Sequence, residues 1–275
     1  MEVKVYVPRP ELQGLIASFI TVNALLPEGI AEAITPYPPT PHQSIIFYGE
    51  HPIQMQKVGH DQFNVQPAIV IIGPQYSRVN IKVTRIIKAV RVDFHPSGLH
   101  RLLGLPMKEL FDDGFDALDI LGNEMSQLNE RLVNLQDLAA RQVIVEEYFL
   151  RKIKRLKECS PFDHALRELV RSDGNLPIHQ VASLACLSVR QLERKFSERI
   201  GMPPKVFARI ARFSKAYRLR ESRSDYTWST IAHEAGYFDQ MHFIRDFKEF
   251  AGVNPKIIDQ ALAETPFRMQ AHLSI

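Results

Sequence analysis

In the first part of the chain the apolar positions fall in short, β-branched runs: residues 44–48 (SIIFY), 68–72 (AIVII), 81–83 and 85–94 (RIIKAVRVDF), mostly bounded by turn-forming Gly or Pro. Runs of this length and composition predict strands. Near Pro96 the pattern changes, and SGLHRLLG, then residues 124–135 and 138–156, space their apolar positions three and four apart. That spacing predicts helices. Residues 1–157 are therefore expected to form a β-rich domain with a helical tail, ending at Ser160-Pro161, where Pro disfavours helix through the residue before it. From Phe162 onward helical spacing recurs with regular stops. Helices are predicted over 164–171, ended at Asp173-Gly174, and over 178–184, opened by Pro177. Another is predicted over 189–200, opened by the Ser188/Gln191 capping box and ended at Gly201. A long helix follows over 204–222, then two more over 228–235 and 240–251, capped by Thr227 and Asp239.

This last part repeats itself. Val181-Ala182 and Ala185 recur fifty residues later as Ile231-Ala232 and Ala235, while Leu192, Arg194, Phe196, Gly201 and Pro204 recur fifty-one later as Phe243, Arg245, Phe247, Gly252 and Pro255. Each copy reads helix, tight turn, helix, with small residues where the helices approach and apolar pairs four apart facing inward. The expected fold class is α+β: a β-rich N-terminal regulatory domain with a helical tail, then an all-α domain over residues 160–262 in which a long helix joins two helix-turn-helix units.

In such a unit the second helix enters the major groove of DNA. Setting aside the core positions leaves Val189, Arg190, Glu193, Arg194 and Lys195 available on one such helix, and Gln240, Met241, His242, Ile244, Arg245 and Lys248 on the other. Arg can bridge guanine, Gln suits adenine, Glu can accept from cytosine, and apolar groups can touch a thymine methyl. Lys195 and Lys248 suit phosphate better than bases.

The two stretches IHQVASLACLSVRQLERKFSERIGMPP and STIAHEAGYFDQMHFIRDFKEFAGVNP resemble the AraC/XylS family of transcription regulators, over roughly the last hundred residues. The resemblance implies a seven-helix domain whose two recognition helices enter successive major grooves on one face of double-stranded DNA. It puts base contacts on Arg190, Glu193 and Arg194, and on Gln240, Met241, His242, Ile244 and Arg245, with phosphate contacts at Ser188, Lys195, Arg212 and Lys248. Met241 stands where the family pattern has a small polar residue. For Arg212, in RFSKA, a structural pair and a phosphate contact are both open; Trp228 reads as core rather than as a stacking platform. RNA polymerase, a small-molecule effector and a second copy of the chain are the further partners implied. Residues 92–106 (VDFHPSGLHRLLGLP) resemble, more loosely, a stretch in the β-rich domains that precede some of these modules.

Composition narrows the remaining classes. At 275 residues the chain exceeds one typical domain, which favours two cores. No apolar stretch is long enough to span a bilayer and the start, MEVKVYVPRP, lacks a signal core, so a cytoplasmic protein with no membrane partner is expected. Cys159 and Cys186 have no metal-ligand spacing, and His95 and His100 straddle a Pro-Ser-Gly turn without a supporting cluster, so neither a metal nor a cofactor is expected. Residues 1–150 hold 12 basic and 17 acidic side chains, against 5 and 1 in residues 151–158 and 17 and 13 in residues 159–275. The basic excess thus lies in the later part, and by charge alone it reads either as a polyanion-binding surface or as a solvated face.

Three function classes stay in view: a regulator controlled by a ligand or partner, a constitutive DNA-binding regulator whose first domain only dimerises, and an enzyme. The last finds no support, since there is no nucleophile elbow, phosphate loop, dinucleotide fingerprint or zinc motif. A first-domain pocket of several hundred cubic ångströms would favour sensing over dimerisation. The Pro-rich residues 35–43 (TPYPPTPHQ) read as a surface loop, inert or rimming such a pocket. The helices over 124–135 and 138–156 have apolar faces that either pack within the first domain or pair between chains.

Overall fold

A computed structural model describes residues 2–49, 51–153 and 159–271. Its β-rich part is built from β1 (Glu2–Tyr6), β2 (Ile16–Leu25), β3 (Ala33–Tyr37), β4 (Gln43–Phe47), β5 (Gln54–Lys57), β6 (Asn64–Val65), β7 (Ile69–Ile72), β8 (Val79–Val83), β9 (Ile86–Phe94) and β10 (Gly114–Asp116). Among the described residues these form two antiparallel sheets, ordered β1-β2-β9-β4-β7-β10 and β3-β8-β5-β6. The central strands of the larger sheet are buried on both faces, which explains their unbroken apolar runs. Ile45, Ile69, Ile71, Val90 and Val92 face one way, toward α3 (Asn123–Val133) and α4 (Leu138–Lys152), whereas Ile46, Val70, Ile87 and Ala89 face the second sheet. Two-residue alternation thus serves two cores at once. Short helices α1 (Gly98–Leu103) and α2 (Ala117–Leu121) follow β9 and β10.

The apolar face of α4 is spent inside this unit. Phe149 is fully buried, edge-on to Phe94 and beside Phe19, and Val145 and Tyr148 join the same cluster. The helix expected over 138–156 ends at Lys152, and most of the basic run 151–158 lies outside the described residues.

The helical part comprises α5 (Pro161–Arg171), α6 (Ile178–Leu184), α7 (Val189–Arg199), α8 (Pro204–Ser222), α9 (Trp228–Glu234), α10 (Gln240–Ala251) and α11 (Pro255–Glu264) around one apolar cluster. Three details differ from the sequence expectation. Helix α5 begins three residues before position 164: Ser160 caps it in a reciprocal box with Asp163 and Pro161 takes the first helical position, so the dipeptide expected to mark a boundary opens a helix. Helix α11 was not placed by apolar spacing, and it brings the described helices of this part to the seven that the resemblance implies. And residues 35–43 are no surface loop: Thr35, Tyr37, Thr40, His42 and Gln43 are all buried. Thr35–Tyr37 pair with β8 as an edge strand, a setting in a sheet that tolerates Pro36.

The two parts are fastened together. Ser97 donates to Asp163, Tyr76 donates to Glu249 at 2.5 Å, and the Arg78 N–H bonds the Phe250 carbonyl at 3.0 Å. After α11 the chain turns back to the β-rich part, where Phe267 is buried between the two sheets, the Thr265 and Thr35 hydroxyls meet at 2.6 Å, and the Gln270 side-chain amide donates to the Pro38 carbonyl at 2.7 Å. This returning segment also touches α8, because its Gln270 and Ala271 N–H groups both donate to Glu221 at 2.7 Å.

Candidate nucleic-acid interface

Both units make the same turn. Leu187 N–H bonds the Ala182 carbonyl in one, and Tyr237 N–H the Ala232 carbonyl in the other, each behind a residue of positive φ: Cys186 at 55° and Gly236 at 84°. This left-handed residue ends the first helix and redirects the chain across it. Gly236 is also required for space, since a Cβ there would lie 2.6 Å from the Asn175 side chain. The second helix of each unit then opens on a cap: the Ser188 hydroxyl accepts from Gln191 N–H at 3.3 Å, and the Asp239 carboxylate from His242 N–H at 2.7 Å.

Turning Leu192 and Phe196 into the core leaves Arg190, Glu193 and Arg194 exposed on α7; turning Phe243, Phe247 and Phe250 inward leaves Gln240, Met241, Arg245 and Lys248 exposed on α10. Among the described residues, no side-chain hydrogen bond or ion pair engages Arg190, Arg194, Arg245 or Lys248. Four cations without protein partners on the two second helices are chemically suited to phosphate and guanine. The other expected contacts are less free. His242 is half-buried, edge-on to the Tyr237 ring and 3.8 Å from Asp246; Ile244 is half-buried against the core; Lys195 lies over the Phe162 ring; and Ser188 is occupied as a cap. Arg212 holds the Asn175 side chain and the Gly174 carbonyl, both at 3.0 Å, and stacks over Tyr237, so it ties α8 to the turn after α5. Trp228 packs on Phe243 and Phe247 and donates to Asp259 at 2.9 Å, as a core residue does.

Sequence reading did not single out Arg209, which bonds Asp246 through two nitrogens at 3.0 and 2.7 Å and also reaches Glu249. Asp246 is fully buried, so this pair fixes α10 against α8 from behind.

A cavity of about 80 Å³ lies between the sheets, lined by Ile20, Ile46, Tyr48, Ile81, Arg91 and Met269 among others. It falls short of the several hundred cubic ångströms of a drug-sized pocket. Phe267 and Met269 of the returning segment take up space beside it. Arg91 is engaged by Asp93 at 2.6 Å and by the Tyr37 hydroxyl, but the buried Tyr48 hydroxyl has no hydrogen-bond partner among the described residues. Burial raises the Tyr48 phenol well above its ordinary range, so it stays a neutral donor.

Comparison with known proteins gives two family matches: a helix-turn-helix domain over residues 181–260 and a domain of unknown function, DUF6597, over residues 4–116. The arabinose operon regulatory protein of Escherichia coli (strain K12) is 28% identical over 120 residues, covering 41% of each chain, and its Salmonella typhimurium counterpart is 27% identical over 120 residues, covering 41% of this chain and 42% of its own. The chain thus spans about two fifths of the length of the curated relatives it matches. Among solved structures, ToxT from Vibrio cholerae aligns with a TM-score of 0.48 at 13% identity, over 90% of this chain and 99% of its own. No helix among the described residues is long and apolar enough to cross a membrane. Residues 181–260 thus match a helix-turn-helix domain family, and this carboxy-terminal part of the chain is similar to the arabinose operon regulatory proteins.

Proposed function

We propose that the protein is a sequence-specific transcription regulator that binds double-stranded DNA through residues 160–262, under the control of residues 1–157 and a small molecule. The observation that carries this reading is the pair of matching helix-turn-helix units, each with partner-free cations on its second helix. Arg190, Glu193 and Arg194 on α7, and Gln240, Met241 and Arg245 on α10, read bases; Lys248 anchors phosphate. His242 and Ile244 reach bases only by leaving their half-buried positions. The cavity between the sheets is smaller than a drug-sized pocket, so the control step requires it to widen; Met269, from the segment after α11, forms part of its wall, and the Tyr48 hydroxyl beside it has no hydrogen-bond partner among the described residues. A ligand that fits there and displaces Met269 would bind two states of the protein unequally, as any such switch requires. At its promoter such a regulator meets RNA polymerase. A dimer would need a surface other than the inner face of α4, which is already covered.

The test is a mobility-shift titration of the full chain against a library of random duplexes at several salt concentrations. Log affinity should fall linearly with log salt, because each neutralised phosphate releases counterions. A folded protein with no salt-sensitive binding would sink the DNA-reader assignment. The helices should also divide the labour. Arg194→Ala should cost about 1–3 kcal/mol and relax preference at one or two base pairs, whereas Lys248→Ala should weaken all sequences alike and reduce the salt slope by about one unit. Selecting sites with both variants checks this, and an altered preference for Lys248→Ala would show that the roles are reversed.

A further inference from the structure

The two turns differ in length by one residue. Counting from the matched alanines, the first unit runs Ala185, Cys186, Leu187, Ser188, and the second Ala235, Gly236, Tyr237, Phe238, Asp239. Cys186 and Gly236 share the positive φ, Leu187 and Tyr237 make the equivalent backbone bond, and Ser188 and Asp239 are both helix caps. The surplus residue is Phe238, and its exposure of 97% is the highest of any large hydrophobic residue among those described.

An apolar residue just before a helix cap ordinarily folds back on the fourth residue of the helix. For α10 that residue is Phe243, which is fully buried and already ringed by Tyr237, Trp228 and Phe247 with centroids 5.3–5.7 Å away. Tyr237 has filled the place, so Phe238 contributes no packing and stands in solvent at the leading end of the second recognition helix. Met241, in the first turn of that helix, is also exposed, at 71%. Arg245 and Lys248, both exposed, follow Met241 by four and seven residues, which puts them on the same face of α10.

We propose that Phe238, with Met241, is a specificity-determining residue that reads thymine by packing against its 5-methyl group in the major groove. The proposal rests on the DNA-binding reading above. The leading end of a recognition helix is what approaches base edges, and the methyl group is the feature that thymine alone presents there. The basic side chains that share a face of α10 with Met241 favour a polyanion over a protein surface as the occupant.

The experiment uses an operator selected from random duplexes by the full-length wild-type chain, then remade with each thymine in turn replaced by deoxyuridine, which lacks only the methyl. Wild type should lose about fourfold in affinity at one or two of these positions, the worth of burying one methyl group. Phe238→Ala, which removes an exposed ring, should unfold at the wild-type temperature, bind the thymine operator more weakly, and no longer respond to uracil at those positions. Undiminished sensitivity to uracil in Phe238→Ala overturns the proposal. So does wild-type DNA affinity combined with a loss of promoter output, which would make Phe238 a contact for a protein partner. If the wild-type chain selects no duplex, the DNA-binding reading fails first and takes this one with it, an outcome distinct from failure at Phe238 alone.

Discussion

Arg209→Ala should destabilise the helical part by about 3–5 kcal/mol, the usual cost of removing one member of a buried ion pair. Asp246 lies on α10, fully buried, and takes both of its strong hydrogen bonds from the Arg209 guanidinium. Without Arg209 the nearest cationic group is the His242 ring at 3.8 Å, itself half-buried and charged only when protonated. Most of the cost therefore comes from a carboxylate stranded away from water rather than from lost attraction. Glu249 loses its arginine partner too and keeps only the Tyr76 hydroxyl from the β-rich part. Urea unfolding should show a lower midpoint with an unchanged slope. The double variant Arg209→Ala/Asp246→Asn should recover part of the loss, because the orphaned charge is gone. If the single and double variants were equally unstable, the desolvated charge would not be the cause.

The recognition elements were legible because they obey local rules and are written twice. Helices α8 and α10 have the boundaries that caps, prolines and glycines predict, and Arg190, Arg194, Arg245 and Lys248 are exposed as the spacing of Leu192/Phe196 and Phe243/Phe247 requires. The central strands β4, β7 and β9 were visible for the opposite reason, being so apolar that only a doubly covered sheet suits them. What escaped depends on contacts far apart in the chain. Residues 35–43 look like a loop by their prolines, and only pairing with β8 and cover from Thr265 and Gln270 make them interior. Arg212 could have served phosphate or structure by its sequence; Asn175, Gly174 and Tyr237, brought together by the fold, occupy it. The surplus Phe238 was present in the sequence as the change of repeat offset from fifty to fifty-one, but its exposure needed the packing of Tyr237 on Phe243 to be known.

The segment that returns from α11 gives the second large effect, a pH dependence centred on Glu221. This carboxyl is buried on α8; one of its oxygens accepts the Gln270 and Ala271 N–H groups, and the other has no partner. Burial pushes it up to about 7, against the opposing pull of those N–H groups and of Arg268. Tyr217 on the same helix and Tyr37 on β3 are the other titratable groups that feel its charge. Because the folded value is raised above the unfolded one, the folded state holds the proton more tightly. The resulting stability is complete below the ordinary carboxylate range and is lost as pH rises through about 7. The shift corresponds to about 3 kcal/mol between those limits. His95 works against this in the same window: burial lowers it to about 4, so stability is lost as pH falls below the ordinary imidazole range. The raw stability curve of the wild-type chain therefore mixes opposite signs, and the informative quantity is the difference between wild type and Glu221→Gln, in which the His95 contribution cancels. That difference should move in favour of the glutamine variant by about 3 kcal/mol as pH is raised from 4.5 to 8, because only the wild type is left with a buried charge. Amide exchange should report the same event locally, with Gln270 and Ala271 losing protection in the wild type as Glu221 ionises, ahead of the central strands. Parallel stability curves for the two proteins would mean that the proton on Glu221 does not govern stability, and that Phe267, the Thr35–Thr265 contact and the Gln270–Pro38 bond hold the returning segment at either pH.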